Sequence, residues 1–99
     1  MNRIQTPTIS EILLDEFMIP LKISAYRLAH DINVPISRIQ DILHNRRKIT
    51  MDTSIRLGIY FGVSETFFIN IQNDIDLRNL KEEYKNEFNN IKPIQLKSY

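Results

Sequence analysis

The sequence predicts an all-α fold built around one helix-turn-helix, and three observations carry that prediction. Apolar residues recur at intervals of three and four through most of the chain. Nowhere do they alternate with the period of two that a half-buried strand needs, and no Asn-Gly hairpin signal occurs. The third is the stretch from Ser24 to Thr50, which reads as two short helices, a tight turn and a basic loop.

Met1 to Pro7 reads as irregular, and a first helix is expected from about Thr8 to Met18. Thr8 followed three residues later by Glu11 has capping-box spacing, with Ser10 as the competing cap. Ile9, Ile12, Leu13 and Phe17 form its buried stripe, and Pro20 is expected to end it. Ser24 is a suitable cap for the second helix, in which Leu28, Ala29 and Ile32 share one face. Asn33 tolerates the left-handed conformation that closes a helix, and Pro35 suits the first turn of the third. There Ile36, Ile39, Ile42 and Leu43 are apolar, while Ser37, Arg38, Gln40 and Asp41 are polar. The basic run Arg46-Arg47-Lys48 comes directly afterwards.

Thr50 caps a fourth helix with Asp52 in its first turn, where a negative charge is favoured. Ile55, then Gly58 or Ile59, then Phe61 or Gly62 continue at helical spacing with Leu57 flanking, and Gly62 is placed to close the helix. Ser64 is expected to cap a further helix. Phe67, Phe68, Ile71, Ile75 and Leu77 make that segment unusually apolar for a peripheral helix. Whether residues 65–88 form one helix or two stays open, with Asn73 and Asn79 as candidate breaks. The expected organisation is therefore a single domain over 1–99, with the helix-turn-helix at 24–43, a helical extension at 64–90 and a frayed tail at 91–99.

Composition narrows the function. The formal net charge is only +1, so the distribution of charge matters more than its sum. Residues 24–50 hold Arg27, Arg38, Arg46, Arg47 and Lys48 against Asp31 and Asp41. From Asp74 to Glu87 the balance turns acidic. There is no cysteine, hence no disulfide and no thiolate metal site, and no apolar run approaches the roughly 18 residues that span a membrane. A cytoplasmic, soluble protein is expected, with no cofactor, no metal and no small-molecule substrate. His30 and His44 match no zinc spacing. Asp15-Glu16 and Glu82-Glu83 are sequence neighbours, which project about 100° apart on a helix and do not converge on one substrate atom. With two glycines, no phosphate-cradling loop exists, so an enzyme is not expected.

The order Glu11-Ile12-Leu13-Leu14-Asp15-Glu16-Phe17, Tyr26-Arg27-Leu28-Ala29, Val34-Pro35-Ile36-Ser37-Arg38-Ile39, Arg47-Lys48-Ile49-Thr50-Met51-Asp52-Thr53, Arg56-Leu57, Tyr60-Phe61-Gly62 and Phe67-Phe68-Ile69-Asn70-Ile71-Gln72 resembles the HigA-type antitoxins, also called VapI-like. These belong to the wider Cro/cI-type (Xre) helix-turn-helix group, and the resemblance covers roughly Ser10 to Leu80. It implies a five-helix Cro/cI-repressor-like domain with an extended C-terminal helix. It also implies a dimer that binds operator DNA, represses its own operon and neutralises a HigB/RelE-like mRNA-cleaving toxin. The chain departs from the family where Thr8-Ile9-Ser10 replaces His-Pro-Gly, where Asn33 and Asn45 replace glycine, and where Phe68 replaces tryptophan.

The expected DNA-contacting residues are Ser24, Tyr26, Pro35, Ser37, Arg38, Gln40, Asp41, Arg46, Arg47 and Lys48. Ser37 and Arg38 lead as base readers, and the basic run is assigned to phosphates. The dimer interface is expected at Phe67, Phe68, Ile71 and Ile75. The toxin surface is expected on the acidic segment 74–87, with Glu11, Asp15 and Glu16 of the first helix. Two other readings compete: a stand-alone or prophage-derived regulator with no toxin, and an interaction module that no longer reads DNA.

Overall fold

In the computed structural model, residues 7–95 are described, and they form six helices with no strand among them. Helix α1 opens at Ile9–Ile12 and continues as a π-helical stretch, Leu13–Met18. After it come α2 (Ala25–Asp31), α3 (Ile36–Leu43), α4 (Met51–Phe61), α5 (Phe67–Glu83) and α6 (Lys85–Asn89). Met1 to Thr6 and the last four residues of the expected tail lie outside the described residues.

Local capping sets three of the starts as the sequence predicts. Thr8, Ser24 and Thr50 each adopt an extended backbone and accept from the N–H three residues on. The helix ends share one device. Lys22, Asn33, Asn45 and Gly62 have φ of 57°, 58°, 59° and 72°. After each, the next N–H reaches back five residues, from Ile23 to Met18, Val34 to Ala29, Arg46 to Asp41 and Val63 to Gly58. Asn33 and Asn45 thus do the work of the family's glycines.

The first helix ends at Met18, two residues before Pro20 as expected, and one further turn closes at Lys22. The chain keeps turning through Pro20, with Leu21 N–H donating to the Phe17 carbonyl. Proline has no N–H, and its ring crowds the carbonyl four residues back. The wider π register accommodates it, with Ile19 N–H donating to the Leu14 carbonyl. Pro35 is displaced from its expected place. It is the N-cap residue (φ −60°, ψ 143°), one position before the first turn.

The core is built from Leu13, Met18, Leu28, Ile39, Ile42, Leu57 and Phe68, with Ile9, Ala29, Ile32, Ile49 and Ile75 around them. Full burial of such a side chain contributes about 2 kcal/mol by transfer. Phe17 is the aromatic hub, with ring centroids 5.0 Å from Phe61, 5.0 Å from Phe68 and 5.9 Å from Phe67. On α4 the expected inner face is corrected, because Leu57 is buried while Ile59 faces solvent. Two polar residues, Thr53 and Ser54, take the inward positions instead.

Ser54 explains its own burial. Its hydroxyl donates to the Glu65 carbonyl at 2.7 Å and accepts from Ile69 N–H at 3.0 Å. It therefore serves the first turn of α5 from a neighbouring helix, a role expected of Ser64. Ser64 instead accepts from Thr66 N–H within a turn, and α5 starts only at Phe67. The extension breaks once, at Tyr84 (φ −111°, ψ 28°), rather than at Asn73 or Asn79. Tyr60 donates to Asp31 at 2.6 Å, joining α4 to α2. That bond, with His30 and Arg27 adding, holds the Asp31 carboxyl below its usual range; the same bond, with burial, raises the Tyr60 phenol against Arg27, which lowers it.

This packing is tested by three substitutions and by pH. A Cβ on Gly58 would lie 2.6 Å from the Ser64 carbonyl oxygen and 2.9 Å from Glu65 Cα, both backbone atoms. Gly58→Ala should therefore lower the unfolding free energy by about 2 kcal/mol despite alanine's better helix propensity. Ser54→Ala should lower it by about 2 kcal/mol through the orphaned N–H and carbonyl. Gly62→Ala, with open space but left-handed strain, should lower it by about 1 kcal/mol. Urea unfolding of the three variants checks the order. Because the Asp31 pKa is lowered on folding, its contribution is complete above the ordinary 3.8 and fades as pH falls below it. The stability gap between wild type and Asp31→Asn should close on acidification below that value.

Candidate nucleic-acid interface

At 100° per residue, Ser37, Gln40, Asp41 and His44 stand at i, i+3, i+4 and i+7 and share the outer face of α3. Ile39 and Ile42, wholly buried, hold the inner face, so α3 is fixed in rotation by its own core contacts. Ser37, Gln40 and His44 are exposed and Asp41 is half-buried. Ser24 and Tyr26 sit at the start of α2; the Ser24 hydroxyl caps that helix, and Tyr26 is largely exposed. Pro35 offers no side-chain cap, so the first N–H groups of α3 have no side-chain acceptor.

Arg38 stands apart from this face. Its guanidinium donates to Asp52 on α4 at 2.9 Å, and Asp52 also accepts from Arg56 at 3.0 Å. Arg56, more than Arg38, holds the Asp52 carboxyl below the usual range. Arg56 donates as well to the Ile32 carbonyl at 2.9 Å, at the end of α2. In the chain without DNA this pairing lays the Arg38 side chain along the flank of α3, beside the face that carries Ser37.

The basic loop is pinned from three sides. Asn45 turns the backbone so that Arg46 and Arg47 N–H both donate to the Asp41 carbonyl, at 2.7 and 3.2 Å. From α1, Ser10 Oγ donates to Asn45 Oδ1 at 3.0 Å. From α5, Gln72 Oε1 accepts from Ile49 N–H at 3.4 Å. The cationic groups are partnered unequally. Arg46 pairs with the Asp41 carboxylate at 3.0 Å and Lys48 with Asp76 at 3.1 Å. Arg47 makes no ion pair among the described residues.

His44 joins the site although sequence reasoning missed it; its place seven residues after Ser37 was a usable signal. Its Nδ1 donates to the Gln40 carbonyl at 2.7 Å, which leaves Nε2 to face outward.

Of the residues expected at the dimer interface, none is left fully exposed by the chain's own packing. Phe68 is fully enclosed and Ile75 nearly so by their own chain, while Phe67 and Ile71 pack against the same core. Beyond Asp76 every described side chain is exposed, including Leu77, Leu80, Tyr84, Phe88 and Ile91. Their spacing of 3, 4, 4 and 3 runs along α5 and α6, with Tyr84 at the break between the two helices and Ile91 two residues past the end of α6. The acidic residues Glu82, Glu83 and Glu87 are exposed on the same arm, Asp74 is exposed on α5 just before it, and Glu11, Asp15 and Glu16 are exposed on the first helix. No helix is long and apolar enough to cross a membrane, and no group of three or more His, Asp or Glu is placed to hold a metal, among the described residues.

No protein-family model matches the chain. The virulence-associated protein I of Dichelobacter nodosus is 39% identical over 84 residues, spanning 85% of this chain and 77% of that protein. The antitoxin HigA of Pseudomonas aeruginosa, solved with the higBA promoter, superposes with a TM-score of 0.82 at 32% identity, covering 90% of this chain and 98% of that one. An addiction module antidote protein of the HigA family from Coxiella burnetii also gives 0.82, at 29% identity, over 92% and 100% of the two chains. With the helix pair α2 and α3, the outward polar face of α3 and these relatives in agreement, the chain belongs to the HigA-type, VapI-like family of Cro/cI-type helix-turn-helix antitoxins.

Proposed function

We propose that this protein is an operator-binding antitoxin that acts as a homodimer. The observation that carries the DNA half is the outer face of α3, which has no apolar side chain at its centre and runs directly into a rigid basic loop. Ser37, Gln40 and Asp41, joined by His44, face base edges in the major groove. A glutamine amide matches adenine bidentately, and each such pair discriminates by about 1–3 kcal/mol. Arg46, Arg47 and Lys48 meet phosphates on one side, and Ser24, Tyr26 and the open first turn of α3 after Pro35 on the other. Arg38, held on the flank by Asp52, serves the backbone beside the groove. The solved HigA of Pseudomonas aeruginosa with its promoter and the solved antitoxin GraA with its operator support this reading.

One recognition helix reads only a few base pairs, so two are needed to distinguish an operator in a genome. The exposed stripe Leu77, Leu80, Tyr84, Phe88 is where a second copy fits, because a monomer leaves it wet. The toxin half rests on the family and on charge. An RNA-cleaving toxin of the HigB/RelE kind presents cationic surface to RNA, and the acidic residues of the arm and of α1 complement it. Toxin and operator then occupy different elements and can be held together, and any change the toxin makes in operator affinity is matched by an equal change that operator makes in toxin affinity.

Gln40→Ala should weaken binding to the DNA upstream of its own reading frame by about tenfold while leaving random DNA unchanged. Arg47→Ala should weaken both and flatten the salt dependence by about one phosphate. Equal effects of the two variants on both DNAs would remove α3 from base reading. Leu80→Asp should turn a dimer of twice 11.8 kDa into a monomer by light scattering. Co-expression with the product of the adjacent reading frame should rescue growth and allow co-purification. A harmless or non-associating neighbour leaves the plain regulator as the function.

A further inference from the structure

Lys48 belongs to the basic run, yet its ammonium is already occupied. It lies 3.1 Å from Asp76 Oδ2, 28 residues further along the chain on α5. That carboxylate is not a loose surface partner. Its other oxygen accepts from Gln72 Nε2 at 3.1 Å, and Gln72 is only 6% exposed. The amide oxygen of Gln72 in turn accepts from the N–H of Ile49, whose side chain is buried in the core. The order Ile49, Gln72, Asp76, Lys48 is thus a closed relay between the basic loop and α5. Asp76 is aimed from inside, whereas the Lys48 side chain is 72% exposed and able to swing away.

We propose that Asp76 is a built-in stand-in for a DNA phosphate, which holds Lys48 in the free protein and gives it up on binding. The inference rests on the DNA-binding reading and adds a regulator of affinity to it. An ammonium shared with a carboxylate at this distance attracts a phosphate less than a free one, and the carboxylate itself repels the incoming phosphate. In the free chain the pairs Arg46–Asp41 and Lys48–Asp76 leave Arg47 as the one cation of the loop with no ion pair among the described residues. The uptake of DNA therefore exchanges one anion for another at Lys48, and its contribution to affinity is smaller than that of an unpartnered lysine. Because phosphates carry no sequence, the brake acts alike on operator and random DNA.

Asp76 is also where α5 leaves the core, since the next residue, Leu77, begins the exposed arm.

The test is Asp76→Asn, which removes the charge and keeps an oxygen to accept from Gln72. Affinity for the upstream DNA and for random DNA should rise together by about two- to fivefold, with a salt slope steeper by about 0.9. Asp74→Asn makes the same change of net charge on α5, two residues away at an exposed pair with Arg78. It should leave both affinities within about twofold. An equal rise in Asp74→Asn, or no rise in Asp76→Asn, overturns the proposal. Should Asp76→Asn not fold, Lys48→Ala and Arg47→Ala decide instead. Lys48 has a carboxylate to give up and should lose less affinity on truncation than Arg47; an equal or larger loss overturns the proposal. If the wild type binds neither DNA, it is the DNA-binding reading itself that fails.

Discussion

The molecule depends on the reversal of four helices within a single left-handed residue each. Three of those residues are not glycine, so each carries a steric cost of about 1–2 kcal/mol. Two backbone bonds at each reversal satisfy the orphaned carbonyls of the preceding helix and offset that cost. With no longer loops to spend, α2 meets α3 at a set angle, and Ile39 and Ile42 can lock against the core. The reversal at Asn45 does more, because it also points the amides of Arg46 and Arg47 back at the end of α3. The rigidity of the basic loop is a property of that backbone turn before it is a property of any ion pair.

What the sequence made legible was local. Thr8, Ser24 and Thr50 cap within three residues of themselves, and Asn33 and Gly62 carry their left-handed preference in their own covalent structure. The outer face of α3 was legible for the same reason, since spacing alone brings Ser37, Gln40 and Asp41 together. The illegible features all act across distance or against type. Lysine is not a left-handed former, yet Lys22 takes that conformation, with Ile23 N–H closing back on Met18. Ser54 looks like an ordinary helix residue until the turn at Glu65 is folded over it. Periodicity reports that an apolar stripe exists, not what covers it. So Phe68 and Leu77 read alike in sequence and part company in space, one enclosed and the other in water.

Charge is distributed with the same economy. The basic loop and the acidic arm are separate in the chain, and α5 serves both, bracing the loop through Gln72 and Asp76 before it runs out into the arm. Helix α5 is therefore less a support than a shared wall. Its inner turns, with Phe68 and Gln72, close the core and brace the loop. Its outer turns contribute nothing to the buried core of a single chain.

The cap that Ser54 supplies couples two helices. Helix α5 has no side chain of its own at its start that can accept from its first turn, since Thr66 makes no such bond. Nucleating a helix is the slow, unfavourable step, and here the acceptor that eases it is carried on α4. The first turn of α5 is therefore complete only when α4 is seated beside it, so the start of α5 and the packing of α4 stand or fall together.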